Sequence, residues 1–224
     1  MWVDGVCTIG YTLPVRPTIL AIIGKPLAGK DTQADFLLEA HPNGNKLSPG
    51  GLIREVRDAG ESHRFWPIIG PHVATMEQGI KIPDEPVVEG MSRLAKESIA
   101  QGRNLIIFAG YPRSFIQLNG ITKLAQETGA QLLFMHINVT DVETYHRVYH
   151  RNDGRVDDDP DIHTVRLDEF EKHVVPMMEK LRSEGRVIDI DGMQPKDIVF
   201  KQVENELRQH ILDPEVTLPF MARR

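Results

Sequence analysis

Short apolar runs alternate along the chain with longer stretches in which apolar residues recur every three or four positions. Four of the runs have the length of buried strands: Ile19–Ile23, Leu105–Ala109, Leu132–Ile137 and Val187–Ile190. A weaker strand is predicted near 45–48. The spacing between them predicts helices at Lys30–Ala40, Leu52–Ala59, Pro86–Gln101, Ser114–Glu127, Val142–Arg151, Asp161–Ser183 and Lys196–His210. This alternation favours an α/β fold, a three-layer sandwich around a parallel sheet of about five strands.

The pattern weakens at both ends of the chain. Residues 1–17 are predicted to form an N-terminal extension and 212–224 a C-terminal tail, which leaves one domain over 18–211. No internal repeat and no linker rich in Pro, Gly or Ser divides that stretch. We therefore expect a single core.

Composition and charge limit the kinds of partner. The 224 residues carry a formal net charge of −6, which argues against broad binding to nucleic acids or to anionic membranes. Cys7 is the only cysteine, so an internal disulfide is impossible and a reducing compartment is expected. The first residues lack a secretory pattern, and no run of 18 apolar residues occurs. These observations predict a cytoplasmic protein that acts on a small molecule.

The stretch "AIIGKPLAGKDTQ" carries the first chemical signal. Gly24, Gly29 and Lys30 satisfy the pattern G-x-x-x-x-G-K, directly after a predicted strand and at the start of a predicted helix. In that setting, main-chain N–H groups and the helix N-terminus bind phosphate oxygens while the lysine reaches the terminal phosphates. The alternative is a glycine turn that only joins a strand to a helix.

Four later segments strengthen the signal: "KLSPGGLIRE", "MEQGIKIPDEPVV", "FAGYPRSFIQ" and "HRVYHRNDGRVDDDPDIHTVRL". With the loop, they make residues 18–210 resemble the adenylate kinases and their nucleoside monophosphate kinase relatives. The resemblance implies the P-loop fold of that family, with a monophosphate-binding insert at about 48–85 and a short lid at about 151–158. It also implies a monomer that transfers the γ-phosphoryl group of ATP, accompanied by Mg²⁺, to AMP.

The same resemblance assigns individual residues to the two nucleotides. Those for ATP are Gly24, Leu27, Ala28, Gly29, Lys30, Asp31, Thr32, Arg147 and Arg151, and those for AMP are Gly50, Arg54, Ile82, Gly110, Arg113, Gln117, Arg155 and Arg166. The residues assigned to catalysis are Lys30, Arg113, Arg151, Arg155 and Arg166. Arg54 and Arg113 are implied to hold the acceptor phosphate, Ile82 to touch the acceptor base through its main chain, and Gln117 to read the adenine edge.

Guanidinium groups suit this chemistry, because their planar forks match the negative charge that spreads over a moving phosphoryl group. Two of the segments also have simpler readings. The arginine-rich segment is compatible with a solvated run of charges paired at i,i+4, and Pro83-Asp84-Glu85 with no more than a helix start.

The chain departs from the family pattern where magnesium is concerned. Ala109 stands where the family carries an aspartate that orients water around the ion, and Asp31 and Leu27 replace glycines of the loop. We expect the Asp31 carboxylate to compensate as a Mg²⁺ site, since it would otherwise repel the phosphates. The alternative is that Asp31 only caps its helix. Zinc is not expected, because the lid lacks cysteine and His146 and His150 lack a third ligand.

Two other functions remain open. Gln117 favours adenine, whereas Pro49 and Gly51 depart from the family pattern and leave room for another nucleoside or deoxynucleoside monophosphate. Ala109 and the short lid favour a nucleotide-binding protein with weakened catalysis, although so many phosphate-facing arginines argue against that alternative.

Overall fold

Five parallel strands form the centre of the fold in a computed structural model that describes residues 16–73, 82–150 and 159–212. The strands are β1 (Thr18–Ile23), β2 (Gly44–Leu47), β3 (Leu105–Ala109), β4 (Gln131–Asn138) and β5 (Val187–Asp191). Their order is β2-β3-β1-β4-β5, and every neighbouring pair is parallel. The predicted parallel sheet is therefore confirmed, including the weak strand that became β2.

Helices cover both faces of this sheet. They are α1 (Lys30–Ala40), α2 (Pro49–Ala59), α3 (Trp66–Ile69), α4 (Asp84–Ala100), α5 (Phe115–Thr128), α6 (Asp141–His150), α7 (Pro160–Glu169), α8 (Val175–Ser183) and α9 (Lys196–Leu212). Alternate residues of β1 enter two separate cores, Ile19 and Ala21 on one face and Leu20 and Ile22 on the other. A strand buried on both faces has to be apolar throughout, which explains the uninterrupted run. The three-layer sandwich is confirmed.

The start of α2 differs from the prediction. The helix begins at Pro49, three residues before the predicted Leu52. Ser48 caps it, because its hydroxyl accepts a hydrogen bond from the Gly51 N–H at 3.1 Å. A proline fits the first position of a helix, where the missing N–H has no partner to lose.

The predicted helix over Asp161–Ser183 is confirmed as a continuous helical stretch, but it is not α-helical throughout. It consists of α7 and α8 joined by a π-helical turn at Phe170–Val174. Pro176 follows that turn in the first residues of α8. Its ring would collide with the carbonyl one turn earlier in a regular α-helix, and a wider turn relieves the collision.

The connections after β1 and β3 leave the sheet in opposite directions. The segment after β1 leads into α1, which packs in the same core as Leu20, whereas the segment after β3 leads to α5, which packs in the core of Ile19. Because β1 and β3 are neighbours, a crevice opens between their carboxyl ends. Ligands of open α/β sheets bind at such a switch point. Within the described ranges, no helix is long and apolar enough to cross a membrane.

Candidate active site

The loop between β1 and α1 contains a strained turn. The Ala28 N–H donates to the Lys25 carbonyl at 3.1 Å, and Leu27, the third residue of this turn, has a φ of 62°. Among the described non-glycine residues, Leu27 alone has a positive φ. A β-turn with proline at its second position and a positive φ at its third normally carries glycine at the third position. The resemblance to the adenylate kinases also implies a glycine at this position.

Gly24 is required for a different reason. A Cβ at this position would lie 2.6 Å from the carbonyl oxygen of Ile137 in β4. No side chain fits so close to main-chain atoms, so only glycine lets the loop leave the sheet here. The loop is thereby fixed directly above the carboxyl end of the sheet.

Lys30 lies folded back against this loop. Its Nζ donates to the carbonyl oxygens of Gly24 at 2.9 Å and Lys25 at 2.6 Å. Burial, and next the charge of Arg113, lower the pKa of Lys30 to about 7, whereas Asp31 acts in the opposite direction. The charged form of the Lys30 side chain is therefore disfavoured in the empty site, and a bound anion would stabilise it.

We expect nucleotide binding to be accompanied by proton uptake at Lys30. Its lowered pKa leaves much of the side chain neutral at pH 8, and a bound polyphosphate favours the charged form and raises that pKa. Calorimetric titration with ATP in two buffers of different ionisation enthalpy should show uptake of up to about one proton. The uptake should vanish near pH 5.5, where Lys30 is already charged, and in Lys30→Met. Equal enthalpies in both buffers at pH 8 would contradict this expectation.

Arg113 lies on the other side of the crevice, after β3. Its Nε donates to the Gly110 carbonyl at 2.7 Å, which directs the guanidinium back toward the loop. Burial and the neighbouring charge of Arg166 lower the pKa of Arg113, and Arg166 also lowers the pKa of Lys30. Three cations from separate elements therefore converge on one point.

That point belongs to a cleft of about 1040 Å³, which we call the phosphate cleft. The cationic side chains that line it are Lys30, Lys46, Arg54, Arg113, Arg147, Arg166 and Lys196. The cleft also contains the rest of the loop from Leu27 to Thr32, Gly50 and Ala109. Such a volume exceeds that of a typical pocket for one small ligand, and the charges suit phosphates.

Arg147 connects the loop to the far side of the sheet. Its guanidinium donates to the carbonyls of Leu27 at 3.0 Å and Gly192 at 2.9 Å and to Glu143 at 2.7 Å. The structure thus places this predicted ATP-binding residue at the loop, where it also supports the strained turn. Arg151 and Arg155, with the predicted lid at 151–158, lie outside the described residues, and their roles stay predictions.

The predicted base-reading residues lie deeper. Gln117 is only 3% exposed and Ile82 is equally buried in the core. The Gln117 carbonyl oxygen Oε1 accepts from the Arg113 main-chain N–H at 2.8 Å, and its Nε2 donates to Asp84 at 2.8 Å. Contact of either residue with a base stays a prediction.

Asp31 lies at the edge of the phosphate cleft, in the first turn of α1, with its side chain 70% exposed. Gly29 is the N-cap of this helix and no side chain forms a capping hydrogen bond there. In place of a cap, Asp31 has a cation 3.9 Å away, the ammonium of Lys46, which also pairs with Asp35. Sequence reasoning assigned no role to Lys46; its only signal was a polar residue next to apolar Leu47 near the end of a strand.

The side chains of metal-ligating type that line the cleft are Asp31, Asp35, Glu55, His146 and His150. Within residues 16–73, 82–150 and 159–212, no three side chains of His, Cys, Asp or Glu gather into a metal-binding group. Asp31 fits Mg²⁺ as a single carboxylate, since this ion keeps several waters and takes its other oxygens from substrate phosphates. The donor set thus suits magnesium that is bound together with a nucleotide.

Comparison with known proteins agrees with this geometry. No family model matches the chain. An adenylate kinase from Thermus thermophilus is 30% identical over 190 residues, 83% of this chain and 94% of that protein. An adenylate kinase from Phenylobacterium zucineum is 29% identical over 192 residues, 84% and 96% of the two chains. A uridylate kinase from Schizosaccharomyces pombe is 27% identical over 195 residues, 86% and 98% of the two chains.

Proposed function

Because this chain belongs to the adenylate kinase family of nucleoside monophosphate kinases, and is therefore a phosphotransferase, we propose that it transfers the γ-phosphoryl group of ATP to AMP. The observation that carries the proposal is that Lys30, Arg113 and Arg166 line one cleft at the crevice between β1 and β3. Besides burial, the charges of Arg113 and Arg166 lower the pKa of Lys30, and the charge of Arg166 lowers that of Arg113. Mutual repulsion among cations is tolerated where a polyanion neutralises it. The products would be two molecules of ADP.

In the proposed reaction an oxygen of the AMP phosphate attacks the γ-phosphorus of ATP while the bond to the bridging oxygen breaks. No covalent enzyme intermediate is needed, because positioning and charge stabilisation lower the barrier. Lys30 and the loop bind the donor, Arg54 and Arg113 the acceptor phosphate, and Arg166 with Arg151 and Arg155 the charge of the moving group. Asp31 would hold Mg²⁺ that is bound together with ATP, and the ion would supply charge neutralisation for the phosphates.

Two regions complete the proposal. The insert at about 48–85 would close over the acceptor and the lid at about 151–158 over the donor, which would exclude water and prevent hydrolysis of ATP. We further propose that the enzyme acts as a cytoplasmic monomer without binding nucleic acid. The net charge of −6 supports the last point.

A panel of acceptors tests the proposal. Purified protein with Mg-ATP is offered AMP, dAMP, UMP, CMP, GMP and IMP in a coupled assay for ADP formation. A kcat/KM highest for AMP supports the proposal, whereas a higher value for UMP would make the chain resemble the Schizosaccharomyces pombe relative in function. Binding of ATP without transfer to any acceptor would identify a weakened kinase.

If Asp31 replaces the missing carboxylate at position 109, Asp31→Ala is expected to raise the magnesium concentration that gives half-maximal rate. ATP binding without metal should stay equal or tighten, because a negative charge near the phosphates has been removed. Ala109 lines the same cleft, so adding Ala109→Asp to this variant should restore much of the lost rate. Magnesium titrations of the wild type, Asp31→Ala, Ala109→Asp and the double variant, with metal-free ATP binding measured alongside, check this.

The double-mutant cycle decides the role of Asp31, since two groups that serve one ion give strongly non-additive effects. If Asp31 acts only through the dipole of α1, the single variant loses about 0.3–1 kcal/mol of stability and its magnesium midpoint does not move. Additive effects on the magnesium midpoint would exclude a relocated carboxylate.

A further inference from the structure

A partly buried chain of hydrogen bonds connects the start of α4 to the segment that carries Arg113. Asp84 Oδ1 accepts from Gln117 Nε2 at 2.8 Å, and Gln117 Oε1 accepts from the Arg113 main-chain N–H at 2.8 Å. The Tyr111 hydroxyl donates to the Gln117 main-chain carbonyl at 3.3 Å. Burial and the charge of Asp84 raise the pKa of Tyr111, so its phenol stays protonated and remains a donor.

This arrangement permits one orientation of the Gln117 amide. A carboxylate only accepts hydrogen bonds and a main-chain N–H only donates them. Rotating the amide by 180° would place its oxygen against Asp84 and its nitrogen against the Arg113 N–H, in a side chain only 3% exposed. Both hydrogen bonds would be lost, and the buried Gln117 amide has little access to water that could replace them. Asp84 and the Arg113 N–H therefore together fix which end of the amide carries the donor.

We propose that Asp84 is a positioning residue for the acceptor nucleotide, which holds the Gln117 amide in one orientation and, through it, the main chain of Arg113. The proposal rests on the proposed function, because it takes the acceptor to be a purine monophosphate beside Arg113. Gln117 keeps one N–H and one oxygen lone pair beyond those used by Asp84 and Arg113. A fixed pair of this kind recognises one order of donor and acceptor on a base.

AMP and IMP differ in that order. AMP presents an amino group that donates beside a ring nitrogen that accepts, whereas IMP presents a carbonyl oxygen that accepts beside an N–H that donates. The two nucleotides are otherwise nearly identical in size and charge. A rotating amide serves either base, but a fixed amide rejects one of them because buried polar groups would be left unpaired.

The test compares Asp84→Ala with Asp84→Asn and with the control Glu85→Ala, using AMP and IMP as acceptors. Glu85 is also acidic and also in the first turn of α4, but its side chain is exposed. Asp84→Ala should raise the KM for AMP and lower the AMP to IMP ratio of kcat/KM about tenfold, with kcat for AMP changed less than about twofold. Asparagine still offers an oxygen to Gln117 and should restore most of that ratio, and Glu85→Ala should keep it unchanged.

A measurement without catalysis accompanies the kinetics. In a ¹H–¹⁵N spectrum, the Gln117 side-chain amide, identified by its loss in Gln117→Leu, should exchange slowly in the wild type and in Asp84→Asn but rapidly in Asp84→Ala. If Asp84→Ala does not fold, Asp84→Ser repeats the test, since serine suits a helix start but is too short to reach Gln117.

The outcomes separate the two proposals. Unchanged selectivity with a slowly exchanging amide in Asp84→Ala overturns the role of Asp84, as does an equal loss of kcat for both nucleotides that Asp84→Asn does not restore. A wild-type protein that transfers phosphate to neither nucleotide overturns the proposed function instead. In that case the amide exchange still reports whether Asp84 fixes Gln117.

Discussion

Replacing Lys30 with methionine is expected to lower kcat/KM for phosphoryl transfer about a thousandfold or more, because the variant keeps the length of the side chain but loses its charge. Lys30 lines the phosphate cleft, and its Nζ donates hydrogen bonds to two main-chain carbonyls within the loop. A polyphosphate replaces those carbonyls with stronger, charged acceptors. Steady-state kinetics with Mg-ATP and AMP measure the loss.

Lys25 provides a matched control in the same loop. Its ammonium pairs with Asp141 at 2.5 Å and lies 3.6 Å from Glu171. Lys25→Met is expected to change kcat/KM less than about fivefold and to cost about 0–1 kcal/mol of stability, as for exposed ion pairs. Retention of most activity in Lys30→Met, with an unchanged melting temperature, would remove the loop from phosphate binding.

The fold was predictable to the extent that it depends on short-range patterns. The apolar run of β1 is continuous because both faces of the strand are buried, and α1 begins and ends at the residues that the periodicity predicts. The errors come from features that periodicity does not contain. The cap by Ser48 extends α2 toward its N-terminus, and the π-helical turn accommodates Pro176. The short α3 has too few residues to show a period.

The candidate site was predictable where parallel strands bring loops together. Lys30 and Arg113 are 83 positions apart in the sequence, yet each follows the carboxyl end of one of two neighbouring strands. The position of neighbouring strand ends does not predict two other contacts, the pairing of Lys46 with Asp31 and the hydrogen bond between Gln117 and Asp84. Asp84 is the first residue of α4, in agreement with the interpretation of Pro83-Asp84-Glu85 as a helix start. Its contact with Gln117, however, depends on how α4 and α5 pack.

Arg113→Ala is expected to lower kcat/KM about a hundredfold to a thousandfold without lowering the melting temperature. The guanidinium is held at the Gly110 carbonyl, and both burial and the charge of Arg166 lower its pKa. The empty site is therefore destabilised by this charge, and removing it relieves repulsion while it removes a ligand for phosphate. Arg113→Lys keeps the charge but not the planar fork, so we expect an intermediate loss.

The combination of kinetics and melting distinguishes this role from a structural one. If Arg113 stabilised the fold, Arg113→Ala would melt at a lower temperature while the kinetic constants of the folded fraction stayed near those of the wild type. Arg93, on the surface of α4 and paired with Glu89 four residues earlier, is the control. Arg93→Ala should change stability by less than about 0.5 kcal/mol and leave activity unchanged. A charge that lowers stability when the site is empty and speeds transfer when it is filled is a charge placed for an anion.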